Sequence, residues 1–326
     1  MIDVKPAIGT RMLRKLYIRY PDRSNPTWWQ RLWMALVGSF LAPAYLLMAV
    51  RYKVPGLQFR ICCAQLALRL LVKKSGTVSY RTIFSLLFWP LDSTRYFEFD
   101  FVWRRIADFS PIRYLDVSSP RLFPVVVMRR HPQLRAEFLN PDSSDLTETR
   151  NLARAIGIEN RCNFHDVPVE SAPFGSGSFD LITCISVLEH IPDNVKALRR
   201  MWDLLKPGGR LYLTLPCLAE AAAQYATMNL YGLPVPRQEE FTFLQYYYDE
   251  TLLHEVVFPI TGEPRCIAIY GEKREGLFRR YVNSARSDPF YPRWKDPYRM
   301  GREFTVFESI TELPGEGVIA IEFVKP

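Results

Sequence analysis

Between residues 113 and 215, short apolar runs of strand length alternate with amphipathic stretches of helix length, and that alternation leaves few architectures open. The pattern predicts strands at 113–117, 136–139, 162–165, 179–185 and 210–215, with helices at 121–130, 145–156 and 193–205. Gly157 suits the end of the second helix. Pro207, Gly208 and Gly209 suit the turn after the third, because proline cannot continue a helix and glycine accepts positive φ. Strands separated by helices pair in parallel through right-handed crossovers. The expected fold class is therefore α/β, a doubly wound and mostly parallel sheet with helices on both faces. Ligands of such sheets bind past the carboxyl ends of the strands where strand order reverses. That places the turn after Val117 at the centre of interest.

Outside this stretch the pattern is looser. Residues 77–89 and 96–109 read as helices, the second rich in aromatic side chains and ending before Pro111. Downstream, 219–228 reads as a helix, and Asp249 is placed to cap another that runs to about residue 257. Residues 265–270 and 317–323 are strand-like and suit an antiparallel hairpin. They enclose residues 271–316, rich in arginine, tyrosine and phenylalanine and containing Trp294, and an insertion of that length is usually functional or a small subdomain. The chain divides into a helical N-terminal extension, 1–110, and one domain, 111–326, that carries the insertion.

Charge sets the extension apart. The whole chain has a net charge of +8, yet residues 1–74 alone hold thirteen basic residues against Asp3 and Asp22, so the remainder is slightly acidic. Within that basic segment lies an uncharged run, 33–50, preceded by Trp28, Trp29 and Arg31 and followed by Arg51, Tyr52 and Lys53. Indole and phenol rings favour headgroup depth, and cations favour anionic lipid. The run is short for a span, and Gly38, Ser39 and Pro43 fall near its middle. Three arrangements stay open for 28–53: lying in or on a membrane surface, spanning it, or packing as a buried or partner-docking helix. Residues 61–72, apolar apart from Gln65 and Arg69, suit either a membrane surface or a core. The six cysteines are scattered, with no paired C-x-x-C, so neither a zinc site nor a disulfide framework is indicated and a cytoplasmic location is expected. Aromatic and apolar residues between the charges fit lipid better than a phosphate-tracking surface, which makes nucleic acid an unlikely partner.

Four segments carry a resemblance: Leu115-Asp116-Val117-Ser118-Ser119-Pro120, Phe179-Asp180-Leu181-Ile182, Leu188-Glu189-His190 and Leu205-Lys206-Pro207-Gly208-Gly209. In this order and spacing they resemble the class I S-adenosylmethionine-dependent methyltransferases, in particular their type 11-like domain, whose sheet is Rossmann-like. The resemblance implies S-adenosylmethionine as cofactor and no metal. It places Asp116 at the methionyl end, Ser118 and Ser119 in the cofactor loop, and Asn140 at the ribose hydroxyls, with Asp142 as the alternative if the register moves by two. Asp166 would accept from the adenine amino group while Val167 packs the ring. Cys184, with Ile185 and Ser186, would lie near the transferable methyl.

Where that family carries a glycine-rich turn, this chain has Ser118, Pro120 and Leu122. Serine is small enough for close backbone approach, and this cofactor has no phosphates to cradle. His190 invites assignment as general base, since imidazole titrates near neutrality, against a structural or substrate-orienting role. Residues 239–248 and 271–316 are the candidate cover for the acceptor. The implied activity is methyl transfer to a small-molecule or lipid-linked acceptor, a glycan or lipid among them, at a membrane surface. The alternative is a noncatalytic scaffold with a degenerate cofactor loop.

Overall fold

The computed structural model describes residues 13–326 except 23, 74–77, 228 and 230–234. Thr77 and Met228, at the ends of two expected helices, and the basic residues Lys5, Arg11, Arg23 and Lys74 lie outside the described residues. The first half of the chain runs β1 (Arg14–Ile18), α1 (Trp28–Arg51), α2 (Leu57–Lys73), α3 (Tyr80–Phe88) and α4 (Arg95–Ala107). There follow β2 (Arg113–Val117), α5 (Leu122–Arg130), β3 (Arg135–Leu139), α6 (Ser143–Ala155), β4 (Cys162–His165), β5 (Phe179–Ile185), α7 (Asn194–Leu204) and β6 (Leu205–Cys217). The remaining strands are β7 (Ala222–Ala226), β8 (Arg237–Gln238), β9 (Phe241–Tyr247), β10 (Cys266–Glu272), β11 (Phe304–Phe307) and β12 (Gly317–Val324).

Eight strands form the main sheet in the order β11-β10-β12-β6-β5-β2-β3-β4. The five strands expected between 113 and 215 are all present and pair in parallel, while β12 inserts antiparallel between β6 and β10. The chain steps outward from β2 through β3 to β4, then returns to the other side of β2 with β5. The carboxyl ends of β2 and β5 therefore flank the switch point where such sheets open a crevice. Apolar clusters lie on both faces, one including Phe59, Phe123 and Tyr212 and the other Leu115, Ile182 and Leu213, as the central strands' continuous apolar runs require.

Two expectations are corrected. Residues 222–226 form a strand instead of a helix, and the N-terminal extension is not wholly helical. The alanine-rich segment has helical propensity, but β1 pairs with it in parallel on one side and β9 antiparallel on the other, and all five of its residues are buried. Tertiary pairing overrides a propensity difference of tenths of a kcal/mol per residue. The turn expected at 207–209 is an irregularity inside β6, with Gly208 at φ 74° as its position required.

The two parts outside the sheet touch each other. Helix α1 continues through Pro43 and buries Met34, Gly38, Ala42 and Ala49, a stripe at helical spacing. A Cβ on Gly38 would lie 3.0 Å from the Trp294 ring of the insertion, and Tyr45 meets Tyr298 at 5.7 Å between ring centroids. Helices α2 and α3 pack with α4, whose buried aromatic face joins the core beneath the sheet. Gly56, just before α2, has φ 75°, donates to Asp100 Oδ1 at 2.9 Å, and leaves only 2.4 Å between a would-be Cβ and the Tyr96 carbonyl oxygen. The Gly56→Ala variant is expected to lose roughly 1–3 kcal/mol of stability through both strain and overlap, measured by urea unfolding against wild type.

Candidate functional site

The sheet register brings most of the sequence-predicted residues into one row. Val117 pairs with Leu139 and Leu139 with His165, so Ser118, Asn140 and Asp166 are the first residues beyond three adjacent strands. Ser186 holds the equivalent place after β5. At about 4.8 Å per strand, the four positions span roughly 14 Å. Ser118 and Ser186 both adopt left-handed backbone, φ 51° and 48°, on either side of the switch point. Strained non-glycine backbone of this kind persists where the surroundings fix it, and it concentrates at functional sites. Ser118 thus takes a conformation usually left to glycine, its hydroxyl donating to the Leu139 carbonyl at 3.0 Å.

Asp116 lies behind this row and is 3 % exposed. Its Oδ1 accepts from Thr183 at 2.7 Å and Tyr114 at 3.1 Å, and its Oδ2 from the Ser119 amide at 3.2 Å. Burial raises its pKa to about 6 against the pull of those donors. Its direct role is to fix the loop: Ser119 in turn accepts from the Ile185 amide at 3.2 Å, tying the turn to the end of β5. Cys184 is fully buried within the apolar cluster, and burial pushes its thiol well up. Ser186 lines the strand-end cavity, whereas Cys184 packs beneath it.

Asn140 is engaged in a local turn. Its Oδ1 accepts from the Asp142 amide at 2.9 Å and its Nδ2 donates to Asp145 at 3.0 Å. Asp142, the alternative ribose acid, is the N-cap of α6, accepting from the Ser144 and Asp145 amides at 3.0 and 3.1 Å. Arg121 reaches across from the start of α5 to Asp145 at 2.9 Å and to Glu148, bridging the two helices above the row. Asp166 is exposed and Val167 half-buried at the end of β4.

A cavity of about 330 Å³ opens beside the row, past the ends of β5 and β6. Its polar centre comes from α4, an element to which the sequence pattern assigned no functional role. Glu98 is fully buried, its Oε2 paired with Arg95 at 2.8 Å and its Oε1 accepting from Ser186 Oγ at 2.5 Å and Thr214 Oγ1 at 3.3 Å. The available signal was a run of charged residues, Arg95, Glu98 and Asp100, within an aromatic helix that has to be buried. Tyr20, Tyr281 and Glu316, from the N-terminal segment and the insertion, line the opposite wall. Tyr247, in β9 of a second, four-stranded sheet ordered β1-β7-β9-β8, donates to Glu316 at 2.7 Å.

Glu189 and His190 line the same cavity, the first buried and the second half-buried. Burial, helped by nearby Glu98, raises Glu189 to about 8 despite Arg95. Its Oε2 has no hydrogen-bond partner among the described residues. Burial lowers His190 to about 4. The neutral ring donates from Nδ1 to the Leu244 carbonyl at 2.7 Å, since a carbonyl can only accept, and Nε2, 3.7 Å from Glu189 Oε1, carries the lone pair. An imidazole this acidic is a poor proton acceptor at neutral pH. The Nδ1 bond to the Leu244 carbonyl fixes the orientation of the ring.

With this geometry in place, comparison with known proteins is informative. A family model described as "Methyltransferase domain" matches residues 131–213. A ubiquinone biosynthesis O-methyltransferase from Xanthomonas oryzae pv. oryzae is 32 % identical over 127 residues, which is 38 % of this chain and 51 % of that protein. The chain therefore spans about half the length of the curated relatives it matches. Among solved structures, MccD protein aligns with TM-score 0.49 and 11 % identity over 72 % of this chain and 99 % of that one. The 1,6-didemethyltoxoflavin-N1-methyltransferase of Burkholderia thailandensis aligns with TM-score 0.46 and 16 % identity over 73 % and 80 %.

The raised pKa of Glu189 has a definite consequence for stability. The folded state binds this proton more tightly than the unfolded chain, so the contribution is full below about 4.5 and is lost as pH rises through about 8. Relative to Glu189→Gln, wild type is expected to lose on the order of a few kcal/mol between pH 5 and 9. Denaturant midpoints of both proteins across that range check the slope.

Proposed function

Because the parallel sheet and its motifs are those of a class I methyltransferase domain, we propose that this chain transfers a methyl group from S-adenosylmethionine to a polar hydroxyl acceptor. The observation that carries the reading is the Glu98–Arg95–Ser186 cluster, built where the strand-end row meets the cavity. The row fits the cofactor on its own terms. Ser118 supplies the left-handed turn with a small side chain, Asp166 is exposed at the place expected for an adenine partner, and Asn140 Oδ1 keeps a second lone pair for a ribose hydroxyl. The cofactor supplies an activated methyl on a sulfonium; the chain aligns the acceptor and keeps water out.

The acceptor side of the cavity presents Glu98, Glu189 and Glu316, with tyrosine hydroxyls and Gln245, against Arg95. A lining of carboxyl and hydroxyl groups, with Glu189 protonated at neutral pH, exchanges hydrogen bonds with a polyhydroxylated group. A sugar hydroxyl fits this chemistry, and the relative's name, an O-methyltransferase, points to the same kind of atom. Transfer to oxygen releases one proton, for which Glu98, already accepting from Ser186, is the nearest paired carboxylate. His190 holds the acceptor's orientation through its anchored ring.

The acceptor is proposed to be lipid-linked. Along α1 the face opposite the buried stripe exposes Trp29, Trp33, Phe40 and Leu47, with Phe40 83 % and Leu47 73 % exposed. Because the opposite stripe packs along the insertion, the helix suits lying in the plane of a membrane better than crossing it.

Incubating the full chain with methyl-labelled S-adenosylmethionine and a total lipid extract tests the activity. Label is expected in the organic phase, and Glu98→Gln is expected to lower the rate by roughly 10²- to 10⁴-fold; no transfer to any fraction contradicts the reading. Replacing Phe40 and Leu47 with serine should weaken co-sedimentation with anionic vesicles by more than about 10-fold, since each buried side chain contributes about 1.5–3 kcal/mol. Unchanged sedimentation would remove α1 from the membrane contact.

A further inference from the structure

Helices in a doubly wound sheet run back against the strands, so the C-terminal end of α5 lies at the end of the sheet away from the strand-end row. A second cavity, of about 270 Å³, is set there between α2, α4 and α5. Arg69 of α2 and Arg129 and Arg130 of α5 line it, with Gln65 and Trp103, and none of its described lining residues is acidic. None of the three arginines forms an ion pair among the described residues. Arg69, Arg130 and Gln65 are exposed and Arg129 is half-buried, so their donors are open to a ligand arriving from solvent.

Two bland readings do not account for the cluster. Basic residues in the last turn of a helix satisfy its free carbonyls and its dipole. Here Arg161 already performs that task, donating to Met128 and Leu134 at 2.9 Å and to His131 at 3.2 Å. Neither does end-capping of α5 explain Arg69, which comes from a different helix. Stacking explains part of Arg130, whose guanidinium lies 4.5 Å from the Trp103 ring, but not the other two arginines. Trp103 is 2 % exposed, and its Nε1–H has no partner among the described residues. The Trp89 and Trp294 indoles are likewise unpaired among the described residues, so the arginines, not the indole, set this cavity apart.

We propose that this cavity binds a phosphate group, with the three guanidiniums and the Gln65 amide as donors. Arginine forks match phosphate oxygens in pairs, and a dianion is attracted by several cations at once. The site is separate from the methyl-transfer reading and stands or falls independently of it. On the same helix as Arg69, Ile61, Leu68 and Val72 are 52 %, 54 % and 83 % exposed. Residues 61, 65, 68, 69 and 72 share one helical face, so acyl chains extending from a bound phosphate would meet apolar side chains. A lipid headgroup and a free phosphate offer the same chemistry, and affinity separates the two.

The test uses the full chain in 150 mM salt and calorimetric titration with inorganic phosphate, dioctanoyl phosphatidate and dioctanoylglycerol. Saturable binding of a phosphate-bearing probe is expected, with none of the phosphate-free diglyceride. Phosphatidate more than about 10-fold tighter than phosphate identifies a lipid source, and equal affinities a soluble one. The double variant Arg69→Gln with Arg130→Gln should weaken binding at least 10-fold while the unliganded protein unfolds within a few degrees of wild type, because both positions are exposed. Arg129→Gln alone, a half-buried position, gives the same reading if the double variant folds poorly, and Arg69→Lys should restore part of the affinity relative to Arg69→Gln. Absence of binding by both phosphate probes, or full affinity in the variants, overturns the proposal.

Discussion

Burying the Glu98 carboxylate is the constraint around which the molecule is arranged. An uncompensated carboxylate in this position would cost several kcal/mol, so the folded state needs its partners in place. They come from separate parts of the chain: Arg95 from the same helix, Ser186 from the end of β5 and Thr214 from β6. The interaction that satisfies Glu98 therefore docks the N-terminal extension on the sheet and also shapes the strand-end cavity. Ser186 meets Glu98 from a left-handed conformation, so the backbone strain at the switch point and the buried charge fall on one residue pair.

The parallel core was legible because its signals agree at every level. Apolar strand runs, intervening amphipathic stretches and the glycine at 208 each point to one topology, and the hairpin of β10 and β12 follows from its two strand-like segments. Residues 222–226 were not legible, since an Ala-Ala-Gln-Tyr-Ala segment has no strand periodicity and becomes a strand only when β1 arrives from two hundred residues earlier in the chain. The site divides in the same way. Ser118, Asn140 and Asp166 fall into line because strand register is set by the hydrophobic pattern. Asp142, the alternative to Asn140, serves as the N-cap of α6, and a cap and a ribose acid use the same residue type in neighbouring places. Glu98 was missed because the meaning of a buried charge depends on partners that are distant in sequence.

The additions to the sheet work together. The insertion and the N-terminal segment meet through Trp294 against Gly38, and through Ser24, whose amide donates to the Arg286 carbonyl at 2.7 Å. Between them they supply one wall of the cavity and hold α1 along the body with its aromatic face outward. An acceptor anchored in lipid would meet the cavity from the side on which these additions lie, and the acid-rich lining would select its polar head. The arginine-lined cavity lies at the other end of the sheet, where α2, α4 and α5 meet.

Everything proposed about chemistry depends on a cofactor held along the row from Ser186 to Asp166 by a turn without glycine. Calorimetric titration of the full chain with S-adenosylhomocysteine, the demethylated product, tests this most directly. The account predicts saturable one-to-one binding that weakens when Asp166 is replaced by alanine. Absence of heat at millimolar ligand, from a protein shown to be folded, would contradict it.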